Sequence, residues 1–123
     1  MKGNIIVSDS PLITKSKTFT LNIIKVSNTV KSTKKESLLT NQLIRSGTSV
    51  GANIREAFSG HSKADFIAKL QISLKECSES EYWIELLIKS GYYDDKAILN
   101  DCIELKKLLI SSINTAKNNQ TDK

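Results

Sequence analysis

Three sets of residues in this 123-residue chain are of types that do chemistry, and spacing decides what each is worth. Glu76, Glu79, Glu81 and Glu85 crowd one stretch. Carboxylates on facing helices hold di-metal centres when Glu-x-x-His pairs accompany them. Here the one histidine, His61, has no such partner. Cys77 and Cys102 are the two thiols. Each falls on an apolar helical stripe, where a reduced core thiol is the ordinary occupant and a disulfide or metal link is the alternative. Arg45, Asn53 and Glu56 form the third set, open to two readings: a ligand or catalytic site, or a line of packing residues. No nucleophile with a matching base is apparent, and no phosphate-loop, dinucleotide, C-x-x-C or G-x-S-x-G motif occurs. The reading is therefore of a protein that is not an enzyme, with no catalytic residues, no metal site and no cofactor.

Charge is the stronger signal. The net charge is +5, and residues 1–35 carry seven lysines against one acid, while the rest of the chain is close to neutral. Lys17, Lys25, Lys31, Lys34 and Lys35 are the candidate nucleic-acid contacts, because clustered cations release counterions from a phosphate backbone. Few aromatics are interleaved with them, so binding should be directed to the backbone and sensitive to salt rather than built on base stacking. An ordinary solvated face is the competing reading. Lys34 and Lys35 fall at the expected start of the second helix, where the helix dipole disfavours cations.

The elements carrying these residues are helical. One proline and five glycines leave few breakers. Ser10-Pro11 starts a first helix running to about residue 31, with Leu12, Phe19, Ile23, Val26 and Val30 on one face. Thr33 and Glu36 have capping-box spacing, placing the second helix from about Lys34 to Phe58 with Leu39, Leu43, Ser46, Val50, Ile54 and Ala57 inward. Ser62 and Asp65 start a third, over about 63–90, with Phe66, Leu70, Ser73, Leu74, Cys77, Ile84, Leu87 and Ile88 on its stripe and Gly91 as its left-handed cap. Asp94 or Asp95 opens a fourth, lined by Ile98, Cys102, Leu105, Leu109 and Ile113. Short connections make neighbours antiparallel. The fold class is all-α: an up-down-up-down four-helix bundle over residues 10–117, with tails at 1–9 and 118–123, the latter polar and frayed. Two helical hairpins exchanged between chains satisfy the same pattern. No apolar run is long enough for a membrane span and no signal peptide is visible, so a cytoplasmic location without membrane contact is expected.

Two features exceed what a lone bundle needs. Ile72, Trp83 and Leu86 lie off the main stripe of the third helix, and Ile13, Leu21 and Ile24 off that of the first. Such second stripes suit another copy of the chain, and scattered surface apolars are the plainer reading. Within the second helix, Gly47 and Gly51 each cost about 1 kcal/mol relative to alanine, which close approach of another backbone would repay. Arg45, Ser49, Ala52 and Glu56 run beside them at helical spacing, with charges at both ends free to pair with neighbouring helices or chains. Arg45, Gly47, Ser49, Gly51, Asn53, Glu56, Ile72, Trp83 and Leu86 are accordingly the candidate assembly and packing residues.

The run from Gln42 to Ala57, QLIRSGTSVGANIREA, resembles the signature of the bacterial four-helix-bundle family named after 23S rRNA intervening-sequence proteins. A second block agrees: SKADFI from Ser62, then Leu70, Ile72 and LKECSESEYW from Leu74 to Trp83. Ala57 stands where many members have glycine, and Cys77 where alanine is usual. The resemblance implies an antiparallel bundle assembling as a ring, commonly a homopentamer. Some members are encoded within insertions in 23S rRNA genes. The family is also similar to the accessory variability determinant proteins of diversity-generating retroelements, basic pentameric barrels that bind nucleic acid and a reverse transcriptase. Arg45, Ser49, Asn53, Glu56, Asp65, Phe66 and Glu79 are the matching positions, read as fold and assembly residues. The expected function is an oligomeric scaffold binding RNA or DNA, and the alternative is an adaptor for a protein partner.

Overall fold

The computed structural model describes residues 10–120, and of Gln120 the backbone alone. The residues before Ser10 and after Gln120, which include the expected N-terminal tail, lie outside that range. Four helices follow in order: α1 Pro11–Lys34, α2 Leu38–Phe58, α3 Lys63–Lys89 and α4 Ala97–Gln120. Each packs on its sequence neighbours, and α1 closes the bundle against α4. None is long and apolar enough to cross a membrane.

The boundaries have local causes. Pro11 at the first turn of α1 lacks only an N–H that would have had no helical partner. The Ser62 hydroxyl accepts the Asp65 N–H at 3.1 Å and starts α3 where the capping pattern places it. Beyond α3, Gly91 takes φ +82, letting its own N–H reach Ile88 and that of Tyr92 reach Leu87 at 3.0 Å. The Asp95 carboxylate accepts the Ala97 N–H at 2.9 Å ahead of α4. The C-terminal segment is not a frayed tail from residue 118, because α4 continues through Asn118 to Gln120.

The start of α2 corrects the expected capping box. Thr33 belongs to α1, and its hydroxyl donates back to the Thr29 carbonyl at 2.7 Å. Helix α1 runs to Lys34, and Lys35 ends it with φ 56, the left-handed conformation. Glu36 does the capping alone, accepting from the N–H groups of Leu39 at 2.5 Å and Thr40 at 3.0 Å. Lys34 and Lys35 therefore stand at the carboxyl end of α1, where the dipole favours cations, and not at the start of α2. Lys35 still occupies a backbone region that costs an L-residue roughly 1–2 kcal/mol. Replacing it with glycine is expected to raise stability by about 1 kcal/mol, or about 4 °C in a thermal melt.

The core follows the apolar stripes, with Ile13 and Ile67 added to it and Leu39, Phe66, Leu74 and Ile88 only partly buried at its edge. Phe19, Ile23, Leu43, Ile54, Leu70, Ile84, Leu87, Leu105 and Leu109 are almost fully buried. Buried hydroxyls bridge α2 and α3. Ser46 and Ser80 share a hydrogen bond of 2.8 Å between α2 and α3, and Ser73 donates to the Val50 carbonyl at 2.8 Å. These small side chains satisfy buried polar atoms without holding the axes apart.

Cys77 and Cys102 meet across α3 and α4 with sulfurs 3.8 Å apart, well beyond the ~2.05 Å of a disulfide. They are free, buried thiols. Cys77 donates to the Cys102 carbonyl at 3.5 Å and Cys102 to the Cys77 carbonyl at 3.4 Å. The hydrogen bond with Cys77, reinforced by burial, pushes the Cys102 thiol well above its ordinary pKa. Both sulfurs are also fully out of solvent, so neither cysteine should react with a disulfide reagent at pH 8 until the protein is unfolded. Above the unfolded thiol's pKa of ~8.5 the unfolded chain loses a proton that folded Cys102 keeps, so stability should fall as pH rises from there.

Candidate nucleic-acid interface

The glycines of α2 set how closely α1 approaches it. A Cβ on Gly47 would lie 2.9 Å from Cγ2 of Ile23, and one on Gly51 3.1 Å from the Thr20 hydroxyl. Thr20 in turn donates to the Gly47 carbonyl at 3.5 Å. The glycine line is thus a contact with α1 of the same chain.

On the other side of α2, the charged line pairs with α3. Arg45 reaches Glu76 at 3.4 Å and bonds Glu79 as well. Glu56 pairs with Lys69 at 2.7 Å. Asn53 donates to the Ser49 carbonyl at 2.9 Å within the helix. The Trp83 indole donates to Glu79 at 3.0 Å, and that bond, ahead of the Arg45 charge, lowers the Glu79 pKa. Arg45, Asn53 and Glu56 do not converge on one point: each has its own partner. Among the described residues no three of His, Cys, Asp and Glu gather where a metal ion would sit.

The second apolar stripes are reduced but real. Ile13 leaves the expected surface set, being 3% exposed, because α1 packs more extensively on α2 than on α4 and turns Ile13 inward. Trp83 packs against the core and Leu86 is half-buried. Leu21, at 61%, Ile24 and Leu38 remain exposed on α1 and α2, as do Ile72, Tyr82 and Ile110 on α3 and α4.

The five candidate lysines divide. Lys25 lines a groove with Asp95 and Asp101 of the α4 side. The field there is negative: Asp95 and Asp94 add to burial in raising the Tyr93 phenol. Lys17 lies on another side of α1, lining a groove of about 190 Å³ with Leu21, Gly51, Ala52 and Arg55. That groove contains no acid. Lys31 bonds the Asn41 side chain of α2, and Lys34 and Lys35 stand exposed at the α1–α2 corner. Helix α1 carries no acidic residue at all.

Arg55 is the residue that sequence reasoning missed. The charges of residues 36–61 cancel on paper, since Glu36, Arg45, Arg55 and Glu56 sum to zero. In the fold Glu36 is spent on a helix cap, Glu56 on Lys69, and Arg45 on Glu76 and Glu79. Arg55 is left exposed beside Lys17 without an ion-pair partner among the described residues. The signal was present: Gly47, Gly51 and Arg55 follow at i, i+4 and i+8, so whatever the glycines approach, Arg55 flanks.

Comparison with known proteins agrees with this architecture. The family model for 23S rRNA-intervening sequence protein matches residues 8–111. A crystal structure of a protein of unknown function from the S23 ribosomal protein family, from Bacteroides thetaiotaomicron VPI-5482, is 47% identical. It superposes with a TM-score of 0.81 over 83% of this chain and 97% of its own. No match was found among curated proteins.

Proposed function

The chain belongs to the 23S rRNA-intervening sequence protein family, and from that premise we propose that it is a non-catalytic, self-associating scaffold that binds nucleic acid along its α1–α2 face. The observation that carries the reading is the composition of that face. Lys17 and Arg55 flank one groove, Lys31, Lys34 and Lys35 follow along the same pair of helices, and no acid lies in that groove or on α1. Free cations in the absence of acids are what a phosphate backbone selects.

Contacts of this kind are individually weak, so assembly matters. The exposed apolar residues Leu21, Ile24 and Leu38 on one pair of helices, and Ile72, Tyr82 and Ile110 on the other, differ in identity. Different patches pair head to tail, and head-to-tail contacts close into rings when the rotation permits. A ring multiplies the basic face, and binding then gains by avidity. Binding to RNA and DNA oligonucleotides of mixed sequence, titrated across salt with the solution mass determined alongside, tests the reading. The expected result is an oligomer whose log affinity falls linearly with log salt, with little dependence on sequence. An oligomer without affinity at low salt would overturn it and leave the apolar patches to a protein partner.

A further inference from the structure

Helices α1 and α4 are the neighbours in least contact, and a groove opens at the end of the bundle where α1 begins. Leu12 of α1, Phe58 of α2, Phe66 of α3, and Leu108 and Ala116 of α4 line about 510 Å³ there, within the roughly 300–1,000 Å³ of small-molecule sites. The rings of Phe58 and Phe66 meet edge to face at 5.3 Å, so one wall is fixed before any ligand arrives. Lys63 is the one charged residue in the lining. We propose that this groove binds a small amphipathic anion, an alkyl or aryl body ending in a single carboxylate.

Charge complementarity singles out this class of ligand. The apolar walls accept a hydrocarbon body, and each methylene buried against them strengthens binding about fourfold. Lys63 is exposed and has no ion-pair partner among the described residues. It is also the first residue of α3, so a head group beside it meets the positive end of that helix dipole. No acid lies in the lining to repel a carboxylate. The rest of the polar lining is neutral, chiefly the hydroxyls of Ser111, Ser112 and Thr115 of α4, which can donate to an anion. A cationic ligand would be repelled by Lys63, and a neutral one would leave that charge unused. The groove shares no residue with the one flanked by Lys17 and Arg55, so this inference stands apart from nucleic-acid binding.

Decanoate is the probe, added to the full-length protein and followed by the NMR signals of side-chain methyls and rings. Decanol and decyltrimethylammonium serve as its neutral and cationic counterparts. Decanoate is expected to shift the signals of Leu12, Phe66, Leu108 and Ala116, to bind about fivefold tighter than decanol, and to gain about fourfold over nonanoate. Decyltrimethylammonium should leave the same signals unmoved. Lys63 is exposed, so Lys63→Gln should fold like the parent, and it is expected to bring decanoate down to the affinity of decanol without altering decanol itself. Decanoate binding no tighter than decanol, parental decanoate affinity in Lys63→Gln, or no binding of decanoate at all would each overturn the proposal. So would shifts centred on the exposed Leu21 and Leu38, which would place the ligand on another surface.

Discussion

Replacing Gly47 with alanine is expected to destabilise the protein by about 1–2 kcal/mol, while the same change at Gly51 is neutral or mildly stabilising. Both positions gain about 1 kcal/mol of helix propensity from the substitution. What differs is the neighbour. At Gly47 the new methyl meets Cγ2, Cγ1 and Cβ of Ile23 at 2.9, 3.1 and 3.4 Å. Ile23 is fully buried and branched at Cβ, so it has no free rotamer to retreat into. Overpacking of this kind costs about 1–3 kcal/mol and outweighs the propensity gain. At Gly51 the methyl meets the Thr20 hydroxyl at 3.1 Å, and that side chain is half-buried with a weak 3.5 Å hydrogen bond to lose. Thermal or denaturant unfolding of the two variants measures the contrast. Adding Ile23→Ala to Gly47→Ala should cost less than the sum of the single changes by about 1 kcal/mol or more, since the clashing atoms are gone. Additive costs would place the close approach elsewhere.

The second large effect concerns binding and separates the folded charge pattern from the linear one. Changing Lys17 and Arg55 together to glutamine is expected to lower nucleic-acid affinity about 50-fold at 0.1 M salt and to reduce the salt slope by about two units, as the loss of two phosphate contacts predicts. Lys25→Gln should leave both quantities almost unchanged, because Lys25 shares its groove with Asp95 and Asp101. Glutamine has a helix propensity close to that of lysine and arginine, and both replaced side chains are exposed, so the variants should melt like the parent. Equal losses from Lys17 and Lys25 would mean that the chain's overall charge steers binding and that the α1–α2 face has no special part in it. An unchanged double variant would remove this face from consideration.

Much of the architecture was readable without coordinates, and the successes share a cause. The stripes of α1 and α4, from Leu12 to Val30 and from Ile98 to Ile113, are buried as their spacing requires. The Ser62–Asp65 cap and the Gly91 turn stand where their local patterns put them. Each depends on residues within about one turn of one another, where backbone geometry leaves few alternatives. The capping-box reading of Thr33 and Glu36 shows the limit of that reasoning. The spacing fits a capping box, but α1 runs on through Thr33, whose hydroxyl donates to the Thr29 carbonyl inside that helix instead of accepting an N–H of α2. In the same way Ile13 appeared displaced from the stripe only while both flanks of α1 were treated alike. The glycine-lined approach to α2 makes one flank interior.

The candidate interface was less readable because charge adds along a sequence but pairs in space. Segment sums placed all excess positive charge in residues 1–35 and hid Arg55 within a neutral stretch. Sequence alone determined that there are four amphipathic helices, that neighbours are antiparallel, and the centre of the stripe that each buries, since helical periodicity and short connections leave little freedom in these. Only the tertiary structure decided that the glycines face α1, that Arg45 and Glu56 are spent on α3, and that Lys25 lies among carboxylates while Arg55 stands open beside Lys17. Those outcomes turn on the rotation and axial register of one helix against another. Many weak contacts between residues distant in the chain set both, and no local pattern encodes them.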